Sequence, residues 1–121
     1  MIVTKPHILL VDDDEMVLRA IVRSLNRDFD CVAISKPEEA LRVAQEQEFA
    51  AIVSDVSMPV MNGFQLRDAI CKAVPAMKDK FLFVSGGGAT PALHEQLEKT
   101  KYLPKPYTLT DLVAAIRKIT G

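Results

Sequence analysis

Four short apolar runs and one brief fifth strand alternate along this chain with five stretches whose apolar residues recur at helical spacing. The runs cover residues 7–11, 31–34, 49–53 and 81–84, the fifth strand is expected at residues 101–103, and the helical stretches begin near residues 15, 37, 64, 91 and 110. Continuous apolar strands joined by helices indicate a parallel sheet that is covered on both faces. Because crossovers between parallel strands are right-handed, the pattern predicts a three-layered, doubly wound α/β domain.

Polar residues in front of three helical stretches are candidate helix caps. Ser35 lies shortly before Pro37, a residue type that is common at the first helical position, so Ser35 is expected to cap the second helix. Thr108 or Thr110 is expected to cap the last helix. Asp14 is expected at the start of the first helix, where the helix dipole favours a negative charge.

The size and composition of the chain indicate one ordinary globular domain. No repeat or linker interrupts its 121 residues, so we expect residues 1–121 to form a single domain. The formal net charge of −1 gives no overall attraction to nucleic acid or to an anionic membrane. No leader pattern and no run of the ~18 apolar residues that a membrane span needs are visible, and we expect a cytoplasmic protein. Cys31 and Cys71 are expected to be buried free thiols.

Side chains that can carry chemistry follow the ends of four predicted strands. Asp12 and Asp13 come after the first strand, Asp55 after the third, Ser85 after the fourth and Lys105 after the fifth. In a doubly wound sheet these positions meet at the carboxyl edge. Neighbouring carboxylates repel one another, so at neutral pH they keep a proton or bind a cation. Oxygen ligands without His or Cys favour Mg²⁺ or Mn²⁺, and this set of groups suits phosphoryl transfer.

Four motifs carry a resemblance to a known family. They are Val11-Asp12-Asp13, the segment DVSMPVMNG at residues 55–63, Ser85-Gly86 and Lys105-Pro106. Together, in this order and over essentially the whole chain, they resemble the receiver domains of two-component signalling. The resemblance implies a single flavodoxin-like domain whose five parallel strands have the order 2-1-3-4-5.

The resemblance also implies how a metal site would be built. Asp55 is the phosphoryl acceptor. Asp12, Asp13 and Asp55 hold Mg²⁺, or alternatively Mn²⁺, with help from the backbone carbonyl of Ser57. Asp13 is the direct ligand of the acidic pair, and Asp12 acts partly through water.

Further residues match the positions that respond to phosphorylation in the family. Ser85 and Lys105 would bind the phosphoryl oxygens, and Tyr102 would be the aromatic switch residue. The Lys105–Pro106 peptide bond is expected to be cis. Gly87 would leave a water path beside the acceptor, which predicts a short-lived phosphoryl group.

The implied partner is a sensor histidine kinase or a histidine phosphotransfer protein, with no direct contact to nucleic acid or membrane. The exposed side of the first helix is either an ordinary solvated face or a docking surface for this partner; its residues are Met16, Arg19, Ala20 and Arg23. A weak dimer through the fourth helix, fifth strand and last helix is a further expectation for the phosphorylated form.

Two alternatives to a phosphoryl-accepting receiver remain open from the sequence. The chain could be a degenerate receiver that only binds partners, or an Mg²⁺-dependent hydrolase with an aspartyl nucleophile. A receiver is not expected to be an enzyme beyond promoting its own phosphorylation and dephosphorylation. The chain could stand alone, or it could come from a hybrid sensor histidine kinase or another longer regulator.

Overall fold

The computed structural model describes residues 5–86 and 90–121 and contains the predicted alternation of strands and helices. Its elements in chain order are β1 His7–Val11, α1 Glu15–Leu25, β2 Asp30–Ile34, α2 Pro37–Glu46, β3 Ala51–Asp55, α3 Gly63–Ala73, a 3₁₀ turn Pro75–Met77, β4 Phe81–Ser85, α4 Pro91–Glu98, β5 Tyr102–Pro104 and α5 Leu109–Thr120. The third strand was expected at residues 49–53, and the observed β3 begins and ends two residues later.

The five strands form one parallel sheet in the order β2-β1-β3-β4-β5, as predicted. Successive side chains of each strand point to opposite faces, so the sheet has a core on each side. Leu9 and Val11 pack on the side of α2, α3 and α4. Ile8 and Leu10 pack on the opposite side, against α1 and α5. All residues of β3 and β4 are buried, which places the middle of the sheet deep inside the domain.

Local hydrogen bonds fix where the helices begin. Asp14 caps α1, because its Oδ1 accepts hydrogen bonds from the amides of Met16 at 3.0 Å and Val17 at 3.3 Å. Thr108 caps α5 and forms a reciprocal capping box with Asp111. The first of the two threonine candidates is therefore the correct one.

The predicted cap of α2 is wrong. Lys36 occupies the cap position and makes no side-chain hydrogen bond. Ser35 lies one residue earlier, and its hydroxyl donates to Glu15 Oε1 at 3.4 Å. Pro37 at the start of the helix has no amide hydrogen, so α2 has one unsatisfied donor fewer and its first turn depends less on a cap.

The cysteines are free thiols in the part of the chain that the structure describes, as expected, but they are half-buried rather than fully buried. Burial raises the pKa of Cys31 to about 11 and also raises the pKa of Cys71. Both thiols are therefore protonated at neutral pH, and a protonated thiol is a weak nucleophile. Among the described residues, no helix combines the length and the apolar character needed to cross a membrane.

Candidate functional site

The carboxyl edge of the sheet brings three carboxylates together. Asp55 is the last residue of β3, and Asp12 and Asp13 directly follow β1, the neighbouring strand. One oxygen from each of these three side chains lies within 4.8 Å of the other two. Asp12 and Asp55 are buried, whereas Asp13 is exposed. The sequence expectation that these residues would meet at one edge agrees with this geometry.

Asp12 is the more enclosed of the two buried acids, with 4% of its surface exposed. Its Oδ1 accepts a hydrogen bond from the amide of Asp14 at 2.9 Å. Its Oδ2 is buried without a hydrogen-bond partner among the described residues. Burial, and then the nearby charge of Asp55, raise the pKa of Asp12, although the hydrogen bond from Asp14 opposes the shift.

Asp55 lies with 8% of its surface exposed, and its Oδ1 accepts a hydrogen bond from the amide of Val56 at 2.9 Å. Burial raises the pKa of Asp55, while the positive charge of Lys105 lowers it. Lys105 Nζ lies 3.7 Å from Asp55 Oδ1 and 3.8 Å from Asp12 Oδ2. The ammonium group thus sits between the two buried carboxylates.

The residues fit a hard divalent cation. One ammonium group faces three carboxylates, so the cluster keeps an excess of negative charge. Within the described part of the chain, the buried Oδ2 of Asp12 has no hydrogen-bond partner, and it is the kind of atom that a bound cation would satisfy. The donor set contains only oxygen, which suits Mg²⁺ or Mn²⁺ better than Zn²⁺. Ser57 is exposed two residues beyond the end of β3, in the loop that borders the cluster.

The remaining predicted residues line a cleft beside the carboxylates. Ser85 ends β4, and its carbonyl oxygen accepts a hydrogen bond from the amide of Lys105 at 2.7 Å. Ser85, Lys105 and Tyr102 share this cleft of about 310 Å³ with His94 of α4. The Lys105–Pro106 bond is cis, as expected. Gly87, which was expected to leave a water path, lies outside the described residues.

The predicted docking residues lie on one accessible surface of α1. Met16 is 79% exposed, and Arg19, Ala20 and Arg23 are exposed as well. Met16 belongs to the first turn of the helix, close to the carboxyl edge of the sheet. The surface is accessible to a partner that approaches this edge.

The surroundings of two residues near the site were not predicted from the sequence. Tyr107 is half-buried and packs against the core on the side of α1 and α5, and burial, followed by the charges of Asp12 and Asp55, raises its pKa. Its position two residues after Lys105 was the available signal. Gly63 packs so closely that a Cβ atom built on it would overlap the backbone carbonyl oxygen of Asp55. In the sequence, Gly63 is the last residue of the DVSMPVMNG motif, which does not reveal this contact.

Comparisons with a family model and with known proteins agree on the kind of domain that this chain resembles. The family model for the response regulator receiver domain matches residues 8–117. The transcriptional regulatory protein PrrA of Mycobacterium bovis is 33% identical over 123 residues, which covers 97% of this chain and 51% of PrrA. The response regulator receiver protein CpdR of Brucella abortus is 30% identical over 117 residues, which covers 93% of this chain and 95% of CpdR.

A solved structure is similar over nearly the same length. The receiver domain protein of Clostridium thermocellum has a TM-score of 0.83 and 27% identity, covering 95% of this chain and 94% of that chain. This chain spans about half the length of the PrrA proteins that it matches.

Proposed function

Because this chain belongs to the response regulator receiver domain family, we propose that it accepts a phosphoryl group on Asp55. The donor is a phosphohistidine on a sensor histidine kinase or on a histidine phosphotransfer protein. Residues 1–121 act as one receiver unit that works in the cytoplasm. The observation that carries this proposal is the buried carboxylate of Asp55 among two further carboxylates and one lysine.

The chemistry requires a nucleophile that is charged yet poorly solvated. A carboxylate oxygen of Asp55 forms a bond to phosphorus as the P–N bond of the phosphohistidine breaks, and the electron pair stays on the imidazole. Burial removes water from the Asp55 carboxylate, and Lys105 at 3.7 Å favours its ionised form. Phosphoryl transfer depends mainly on positioning and charge neutralisation, which these contacts supply.

The acidic residues would hold a divalent cation beside the acceptor. Asp12, Asp13 and Asp55, together with the backbone carbonyl of Ser57, are the proposed ligands of Mg²⁺, with Mn²⁺ as a substitute. When bound, the cation neutralises charge on the phosphoryl oxygens. Asp12 contributes its buried Oδ2, which has no hydrogen-bond partner among residues 5–86 and 90–121, and the amide of Asp14 holds its other oxygen in place.

Phosphorylation of Asp55 would change the conformation of residues in the neighbouring cleft, which is lined by Ser85, Tyr102 and Lys105. The phosphoryl group adds charge and acceptor oxygens at the end of β3, and Ser85 and Lys105 bind them. Tyr102 lines the same cleft, so its ring is placed to respond. Phosphorylation then biases a pre-existing equilibrium of the surface formed by α4, β5 and α5, through which a weak dimer forms.

Docking of the phosphodonor protein involves the exposed surface of α1. Arg19 and Arg23 lie on this surface and would steer an acidic partner surface toward the site. The chain itself promotes only its own phosphorylation and dephosphorylation, and we propose no direct contact with nucleic acid. Whether it acts alone or within a longer regulator, including a hybrid kinase, changes the output and not the acceptor chemistry.

Intact-mass analysis after incubation with acetyl phosphate and Mg²⁺ tests the proposal. We expect one phosphoryl adduct on the wild-type chain, its loss when EDTA is present, and no adduct on Asp55→Asn. Asp68→Asn is the matched control, because Asp68 is an exposed aspartate on α3 away from the acidic cluster, and this variant should be labelled like wild type. An adduct on Asp55→Asn would show that another residue accepts the phosphoryl group, and no adduct on wild type would leave a receiver fold that only binds partners.

A further inference from the structure

The large hydrophobic side chains that are exposed in the described part of the chain all lie around the acidic edge. Val60 is 97% exposed, Met16 is 79% exposed and Leu109 is 48% exposed. Val60 lies in the loop between β3 and α3, while Met16 and Leu109 lie in the first turns of α1 and α5. The loop after β3 and the starts of these two helices all face the carboxyl edge of the sheet, where Asp55 lies.

Val60 is also the residue with the most unusual backbone. Its φ angle is +72°, which is unfavourable for a β-branched residue. The amide of Met61 donates a hydrogen bond to the carbonyl oxygen of Pro59 at 2.8 Å, which closes a three-residue turn centred on Val60. With a positive φ at its centre, this is the rare and strained form of the γ-turn. Gly or Asn would adopt it more easily.

The rest of the loop explains how the strained turn persists. Met58 is buried, and Met61 packs against the same core cluster. Asn62 caps α3, since its Oδ1 accepts a hydrogen bond from the amide of Gln65 at 2.9 Å. These anchors on both sides hold the turn, while the Val60 side chain itself adds almost nothing to the packing of the domain. A strained residue with an unused apolar side chain therefore has no role in the isolated fold.

We propose that Val60 is a specificity-determining contact for the phosphohistidine-bearing protein, an inference that rests on the proposed function. For transfer, the phosphorus must come to about 3 Å from an oxygen of Asp55. The protein that carries the phosphohistidine must then cover the carboxyl edge, and Val60 stands exposed on the loop that begins at Asp55. Covering Val60 removes its apolar surface from water, with Met16 and Leu109 on other sides of the same edge. A small donor such as acetyl phosphate makes no such contact.

Three substitutions separate the side-chain contact from the backbone strain. Val60→Asn and Val60→Gly both suit a positive φ and remove the apolar contact. Val60→Leu keeps an apolar side chain without branching at Cβ. Ala76→Asn is the control, because Ala76 is exposed in the turn before β4, at the opposite end of the sheet. Each chain is labelled with acetyl phosphate and Mg²⁺, and separately with the radiolabelled histidine kinase that transfers fastest to wild type.

We expect kinase transfer to Val60→Asn and Val60→Gly to be slower by about tenfold, from the loss of one buried valine side chain at the interface. Val60→Leu and Ala76→Asn should stay within about twofold of wild type. All variants should be labelled equally by acetyl phosphate. The Tm of Val60→Gly should equal or exceed that of wild type, since strain is relieved and no packing is lost.

The following results would contradict the inference or one of its premises. Unchanged kinase transfer to Val60→Asn and Val60→Gly would overturn the inference. So would equal losses with kinase and acetyl phosphate, because Val60 would then shape the site instead of contacting the donor protein. A Tm below that of wild type for both Val60→Gly and Val60→Asn would contradict the premise that the Val60 side chain adds almost nothing to the fold, since glycine alone can lower Tm through the entropy of the unfolded chain. If acetyl phosphate does not label even the wild-type chain, the proposed function itself fails.

Discussion

Replacing Gly63 by alanine tests how closely α3 approaches the proposed acceptor. A Cβ atom at this position would overlap the carbonyl oxygen of Asp55 and would lie 3.2 Å from both Ser54 Oγ and Val56 Cα. Two of these three neighbours are backbone atoms, so a side-chain rotation cannot relieve the contact. The Gly63 amide also donates a hydrogen bond to the carbonyl of Val56 at 2.9 Å, which keeps the helix start against the end of β3.

The expected cost follows from two opposing contributions. Forcing an extra carbon into a packed region costs about 1–3 kcal/mol, with backbone contacts toward the upper end. Alanine recovers about 0.5–1 kcal/mol because glycine loses more conformational entropy on folding. The net loss is about 1–2 kcal/mol of unfolding free energy. With an unfolding entropy of about 250 cal/mol/K for 121 residues, the Tm of Gly63→Ala should fall by about 4–8 °C.

A shift of α3 or of the end of β3 that makes room for the added Cβ atom should also impair phosphorylation of Asp55. Moving the Asp55 carbonyl shifts its carboxylate relative to Lys105, and misplacement by about 1 Å can cost about 100-fold in rate. We expect the initial rate of labelling by acetyl phosphate to fall at least about tenfold. Thermal unfolding and intact-mass time courses measure the two effects on one protein preparation.

Gly86→Ala is the matched control for Gly63→Ala. Among the described residues, the nearest atom to a Cβ built on Gly86 is Lys105 Cδ at 3.7 Å, which is ordinary van der Waals contact. Its Tm should stay within about 2 °C of wild type. If Gly63→Ala unfolds and is labelled like wild type, then α3 can move away from β3 at little cost and the reasoning is refuted.

Two more predictions concern charges. Because the pKa of Asp12 in the folded chain is raised above 3.8, protonation favours the folded state, and stability is lost as pH rises from that value through the folded pKa. Without Mg²⁺, denaturant titrations from pH 4 to 7 should therefore show wild type losing stability relative to Asp12→Asn; a constant difference would contradict the shift. The double variant Arg19→Glu, Arg23→Glu should receive phosphoryl groups at least about fivefold more slowly from a cognate kinase but normally from acetyl phosphate. Equal losses from both donors would exclude a docking role.

The sequence predicted the fold because its signals are redundant. Four strands overlap an apolar run, each helix repeats its apolar residues at helical spacing, and the order of the elements permits few topologies. The strand order 2-1-3-4-5 was implied by the resemblance to receiver domains. No single residue decides the result. The edge at which the polar residues meet follows from the same alternation, since parallel strands end on one side. The sequence therefore predicts that Asp12 and Asp55 lie close together, although it gives no distance between them.

Element bounds were harder to predict because neighbours, and not the apolar run, set them. The third run covers residues 49–53, yet β3 is Ala51–Asp55. Phe49 is buried without being in the strand, since its ring stacks on His7 at 4.6 Å between centroids. The strand starts where its backbone pairs with β1, with Ala51 opposite Ile8. An apolar side chain indicates that a residue is buried, but residues outside strands can be buried too.

The close contacts of the site could not be predicted from the sequence, for a related reason. The role of Gly63 depends on the distance between a helix start and a strand end that lie eight residues apart. The strain at Val60 depends on one dihedral angle, and valine is a residue type that argues against a positive φ. Local preferences predict what most sequences do, so they fail where the chain departs from them.

These departures are concentrated at one edge of the molecule. The two cores on either side of the sheet are closely packed. The carboxyl edge, by contrast, holds three mutually repelling carboxylates, the strained turn at Val60, and a buried oxygen that has no hydrogen-bond partner among the residues that the structure describes. Any ligand that relieves the repulsion binds the folded chain better than the unfolded chain, and must therefore stabilise it by linkage. The stability of this domain and ligand binding at its site are thus thermodynamically linked. A substitution that itself relieves the repulsion among the carboxylates should therefore reduce the stabilisation that a ligand provides.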